Sequence, residues 1–209
     1  MSEPATKCRI AVFIDWQNAY RAARDAFGMN QLPGRFGNFS PYRLGAHLTS
    51  AHPNESRSQL VLVEIHRGLP SSKQNRIGNA ANRRQAEAWV REGPEVITPK
   101  LRPLRYQVRS AQGATAIEKG VDVQLALSAV GHVVQGSCDR AIIFSHDSDL
   151  LPAVETIRAL RTANHVQTAS WASPTFRKRI PPVSGVFNHF VNQSAFRVLE
   201  DSNDYARRG

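Results

Sequence analysis

Three apolar runs, each closed by a polar residue, constrain this chain more than any other feature. They are Cys8-Arg-Ile-Ala-Val-Phe-Ile-Asp15, Gln59-Leu-Val-Leu-Val-Glu-Ile-His66 and Arg140-Ala-Ile-Ile-Phe-Ser145. Runs this continuously apolar suit strands buried on both faces, as in a parallel sheet, rather than strands with one wet face. Helical segments are expected between them, over residues 18–27, over 41–50 opened by the Ser40-Pro41 cap, and over a polar stretch from Ser71 or Ser72 to Arg91. Further helices are expected from Asp122 to about residue 134, from Leu150 to Leu160 and over residues 193–199. Short strands are expected at 95–98, 166–171 and 186–191, with a basic turn or short helix at 174–179. The alternation predicts an α/β fold, a parallel sheet with helices on both faces joined by right-handed crossovers. Nothing divides the chain internally, so residues 1–199 read as one domain and 200–209 as a flexible tail.

In such sheets function lies beyond the carboxyl ends of the strands, so the acidic residues there are informative. Asp15 closes the first run, Asp147 and Asp149 follow the third, and Asp122 opens the helix before it. Clustered carboxylates repel one another unless a cation neutralises them, and an all-oxygen set favours a hard divalent ion, Mg²⁺ or Mn²⁺, over zinc. Each acid also has a plainer reading: Asp149 as a helix cap, Asp122 as a first-turn acid. Asn18, one turn into the next helix, could orient a ligand, and Ser145 could bond a neighbouring carboxylate.

The chain carries 27 Lys+Arg against 17 Asp+Glu, a net charge of +10, which attracts polyanions. One basic cluster, Lys100, Arg102, Arg105 and Arg109 around Tyr106, falls in a proline-containing stretch at 99–112 that reads as a loop or protruding hairpin. A second, Arg177, Lys178 and Arg179, lies next to Phe176. Basic side chains with aromatics suit backbone tracking and base stacking on single-stranded nucleic acid. No apolar stretch is long enough to cross a membrane, and no secretory leader precedes the first run, so a cytoplasmic protein is expected. Cys8 and Cys138 have no metal-ligand spacing. A Gly-rich phosphate loop ending in Gly-Lys-Ser/Thr is missing, which counts against an ATPase. Gln17 stands where an aspartyl phosphatase would need a second acid, and the Asp147/Asp149 pair does not suit a receiver domain.

Three motifs in order, Val12-Phe-Ile-Asp15-Trp-Gln-Asn18, Glu118-Lys119-Gly120-Val-Asp122 and Ile143-Phe-Ser145-His-Asp147-Ser-Asp149-Leu-Leu-Pro152, resemble the NYN family of PIN-like (LabA-like) metal-dependent ribonucleases. The resemblance runs from residue 8 to about residue 170. It implies a three-layer α/β/α sandwich with a mainly parallel sheet, and hydrolysis of RNA at a Mg²⁺ or Mn²⁺ site. It also implies Asp15, Asp122, Asp147 and Asp149 as the metal-binding acids, supported by Asn18, Ser145 and Lys119. Asp15 and Asp147 are assigned to direct coordination, and Asp122 and Asp149 to a second ion, a bound water or orientation. Lys119 could touch phosphate, and PIN-like folds often pair, so a homodimer is consistent with the resemblance. Three positions depart from the family: His146 stands where glycine is common, Leu150 where phenylalanine is frequent, and Trp16 where the residue is usually smaller. A nuclease fold that binds RNA without cutting it is the alternative.

Overall fold

In the computed structural model, residues 7–51, 58–108 and 114–207 are described. The central sheet comprises β1 (Cys8–Asp15), β2 (Ser58–Leu69), β3 (Ile97–Pro103), β6 (Arg140–Phe144), β7 (Val166–Trp171) and β8 (Asn188–Val191). The strand order is β3-β2-β1-β6-β7-β8, and every adjacent pair is parallel. Strand periodicity then builds two cores from one sequence. Ile10, Val12 and Ile14 of β1, with Ile142 and Phe144 of β6, pack under α1 (Trp16–Ala26), α2 (Pro41–Ser50), α3 (Arg76–Glu92) and α6 (Gln193–Leu199). The intervening Ala11, Phe13, Ala141 and Ile143 pack under α4 (Val121–Val134) and α5 (Leu151–Leu160). The result is a three-layer α/β/α sandwich, as the sequence predicts.

Local chemistry sets the helix starts. The Ser40 hydroxyl accepts the Arg43 N–H at 3.0 Å, with Pro41 at the first helical position. The polar helix begins later than expected, because Ser71 heads a turn and Asn75 Oδ1 accepts the Gly78 N–H at 2.7 Å. The stretch read as a loop is partly a strand: β3 runs through Pro99 and Pro103. Among the described residues it is an edge strand laddered to β2 alone, where a proline without an N–H is tolerated. The protruding hairpin exists beyond it, as β4 (Arg105–Val108) antiparallel to β5 (Ala114–Ile117). Arg109 lies outside the described residues. Of the basic stretch at 174–179, residues 174–175 form a turn enclosed by a Ser173–Phe176 bridge, and 177–179 are irregular.

The segment after α6, expected as a flexible tail, makes defined contacts as far as Tyr205. Asp201 is buried and its N–H donates to the Asn38 carbonyl at 3.0 Å, while the Arg84 guanidinium donates to the Tyr205 carbonyl. Among the described residues no helix is long and apolar enough to cross a membrane.

Candidate active site

The chain leaves β1 toward β2 on one side, and β6 lies on the other, so the carboxyl ends of β1 and β6 form the point where the strand order reverses. Asp15 is the last residue of β1 and also the N-cap of α1, its Oδ1 accepting the Asn18 N–H at 3.3 Å. Its Oδ2 accepts the Ser145 hydroxyl at 3.0 Å. Burial raises the Asp15 carboxyl to about 6 against these two bonds, and the charges of Glu118 and Asp147 add to the rise.

The Ser145 oxygen in turn accepts the Asp147 N–H at 3.2 Å, and Asp147 Oδ1 accepts the Asp149 N–H at 3.0 Å, capping a 3-10 turn over Ser148–Leu150. Asp15, Asp122 and Asp147 line one open cleft of about 610 Å³. Asp122 reaches it from the first turn of α4, which begins at Gly120 with φ 76°, a left-handed conformation that glycine adopts without strain. The Arg102 guanidinium braces that turn, donating to the Lys119 carbonyl at 3.0 Å.

His146 joins three elements. Asn18 Oδ1 accepts both the His146 N–H at 2.8 Å and, from the ring, Nδ1–H at 3.2 Å. Nε2 is then the bare acceptor for the Trp171 N–H at 2.9 Å. Burial holds the imidazole down to about 4, so it stays neutral in this tautomer. The ring thus occupies space that a glycine would leave and ties α1, the loop after β6 and β7 together at the cleft floor. Trp16 is 1% exposed and stacks on Phe39 with centroids 4.6 Å apart, so it packs in the core.

The structure brings Asp15, Asn18, Asp122, His146, Asp147 and Lys178 to one cleft, and with them Gln17, Arg21, Asp25 and Glu118. The sequence reading did not single out these last four for the site. The signal for two of them, Arg21 and Asp25, was present: with Asn18 and Ala22 they follow helical spacing directly after Asp15 and form one stripe of α1. The other candidates are placed elsewhere. The Asp149 side chain is exposed and does not line the cleft, because the 3-10 turn presents its N–H to Asp147. Lys119 is exposed beside the cleft rather than in its lining. Lys100 is paired with buried Glu64 at 3.2 Å, and the Tyr106 hydroxyl accepts the Ser71 N–H at 3.0 Å. Arg105 is exposed on the hairpin, while Arg177 and Arg179 lie over the Phe190 ring at 5.7 and 5.2 Å.

The NYN domain family model matches residues 9–178. The chain belongs to the NYN family. NYN proteins are PIN-like nucleases, so membership gives this chain an RNase-like function at the coarse level. A solved structure of a protein of unknown function from Vibrio parahaemolyticus is 20% identical, covers 92% of this NYN chain and 98% of its own, and has a TM-score of 0.55. That likeness bears on the fold alone. No curated protein matches the chain.

Proposed function

We propose that this NYN protein is a metal-dependent endoribonuclease that hydrolyses phosphodiester bonds of single-stranded RNA. The observation that carries the reading is Asp15: a buried carboxylate at the strand-order reversal, held by Ser145 and the α1 N-terminus, opening onto a cleft that Glu118, Asp122 and Asp147 share.

The residues fit a hard divalent cation of one particular kind. Among the described residues no group of three His, Cys, Asp or Glu side chains gathers closely enough to clasp a metal. Mg²⁺ needs no such clasp, since it keeps several waters and is commonly held through one or two carboxylates. Asp15 and Asp147 would hold the ion, with Asp122 and Glu118 bonding its water. When bound, such an ion neutralises charge on the scissile phosphate and makes a bound water nucleophilic at neutral pH. The protein's own part is positional. Ser145 orients Asp15 and Asp147 together, Asn18 and His146 hold the loop after β6, and Arg21 and Lys178 draw the phosphate backbone to the rim. Asp149 acts through its N–H, which holds the Asp147 carboxylate.

The test incubates end-labelled single-stranded RNA and matched DNA with the protein in Mg²⁺, Mn²⁺ or EDTA, beside Asp147→Asn. Internal RNA cuts that need metal and vanish in the variant support the reading. RNA bound but never cut gives the alternative, a PIN-like RNA-binding module. Equal cutting by the variant overturns the site.

A further inference from the structure

The acidic cleft does not end at α1. Gln17 and Arg21 line both it and a second hollow, which Arg67 and Asn82 share with a third of about 410 Å³. This third cavity has an unusual wall. The Arg67 guanidinium lies over the rings of Trp16 and Trp89, at 5.6 and 6.0 Å, and donates from Nη1 to Gln85 Oε1 at 2.5 Å. Arg67 Nε and the Gln85 Nε2 amide are buried with no acceptor, as is Trp89 Nε1 behind them. Burial lowers the Arg67 guanidinium to about 10, with the charge of Glu118 acting the other way. Buried donors without acceptors are rare and costly, and an acceptor entering beside them removes that cost. Tyr20, with the Arg24 guanidinium over its ring at 5.7 Å, Tyr205 and Asp204 also line the space.

We propose that this cavity is a subsite for one unstacked guanine base of the RNA strand crossing the acidic cleft, an inference that rests on the ribonuclease reading for its ligand. Donors on one wall suit the adjacent O6 and N7 acceptors of guanine, the commonest target of arginine. The Asp204 carboxylate, which accepts the Ala206 N–H and pairs with exposed Arg207 at 3.3 Å, would take guanine's N1–H and N2–H donors on its remaining lone pairs, and the tyrosine rings suit its faces. Adenine and uracil place a donor beside the acceptor on the corresponding edges. A bare phosphate would leave the aromatic walls unused.

The experiment uses the full chain in EDTA, so that RNA stays intact. Binding of labelled oligouridine carrying a single central guanine is compared with the same strand carrying adenine, cytosine or uridine there. Tryptophan fluorescence then follows titration with GMP, AMP and ribose 5-phosphate. Expected is about tenfold tighter binding of the guanine strand, and displacement by GMP alone. Gln85→Glu, which supplies Arg67 with a carboxylate, is expected to abolish the preference while the urea midpoint stays at or above wild type. Arg67→Lys should abolish it too, and a folded Gln85→Glu keeps the test valid if Arg67→Lys fails to fold. Equal binding of all four strands, equal displacement by ribose 5-phosphate, or an intact preference in Gln85→Glu overturns the proposal. Metal-dependent cutting without base preference removes this subsite and leaves the nuclease; GMP binding without cutting keeps the subsite and removes the nuclease.

Discussion

Ser145 lies 130 residues from Asp15 in the chain, yet its hydroxyl donates to Asp15 Oδ2 at 3.0 Å. The same oxygen accepts the Asp147 N–H at 3.2 Å, so one fully buried hydroxyl sets two acids that the cation would need. Ser145→Ala leaves both groups short of a partner. It is expected to cost about 1–3 kcal/mol in urea unfolding and to weaken Mg²⁺ affinity about 10–100-fold while RNA affinity in EDTA is unchanged. Equal Mg²⁺ titration curves for variant and wild type would show that Ser145 is a strand-end hydroxyl and nothing more.

A cation at this site must compete with the proton on Asp15, whose carboxyl sits at about 6. Mn²⁺ or Mg²⁺ is therefore expected to raise the melting temperature at pH 7.5 and to do so about tenfold less effectively at pH 5.0, with proton release on binding. Asp147→Asn should lose most of the shift at both pH values. A shift of equal size in Asp147→Asn places the cation elsewhere.

Much of this was legible in the chain because burial and chemistry coincide at strand ends. Asp15 after Ile14, and Asp147 after Phe144-Ser145, announce acids at the sheet's carboxyl edge from local pattern alone. The NYN resemblance anticipated the family and the sandwich, and the sheet confirms the latter in its strand order. What local pattern does not carry is pairing across the sequence. Lys100 reads as a free basic residue, but β3 stands beside β2 and places it on Glu64. Arg102 likewise braces the turn before Asp122, a partnership across 17 positions. Edge strands tolerate proline, so Pro99 and Pro103 concealed β3. Arg67 was invisible for the same reason: its rings come from α1 and α3.

His146 is held as a neutral acceptor, with its imidazole lowered to about 4 by burial. A folded-state pKa below the unfolded value of about 6.5 means the unfolded chain takes up the proton first. The stabilisation from His146 is therefore present above pH 6.5 and is lost as pH falls toward 4, by up to about 3 kcal/mol. Asp15, raised to about 6, acts in the opposite sense over an overlapping range, so the wild-type profile alone mixes the two. The difference between wild type and His146→Gln, measured by urea unfolding at pH 4.5 and 7.5, isolates the imidazole. That difference should be smaller at pH 4.5. Equal differences at both pH values would mean that burial does not hold the imidazole neutral.

Glu64 presents the reverse case on the opposite face of the sheet. Its side chain is 3% exposed, and burial alone would push the carboxyl up. Hydrogen bonds with His66 at 3.1 Å and from Ser128 at 2.5 Å, with the Lys100 charge, outweigh burial and hold it at about 2. A carboxyl lowered from 4.5 contributes stability that is complete above about pH 4.5 and disappears as pH falls toward 2, about 3 kcal/mol in all. Glu64→Gln keeps acceptors for Ser128 and His66 but leaves Lys100 and His132 without the opposing charge. The variant is expected to lose about 2–3 kcal/mol at pH 7 and to show a flatter unfolding curve between pH 4.5 and 2. Because this window lies almost wholly below that of His146, acid titrations of the two variants should part near pH 4. An unchanged acid limb in Glu64→Gln would mean that another carboxylate governs acid unfolding.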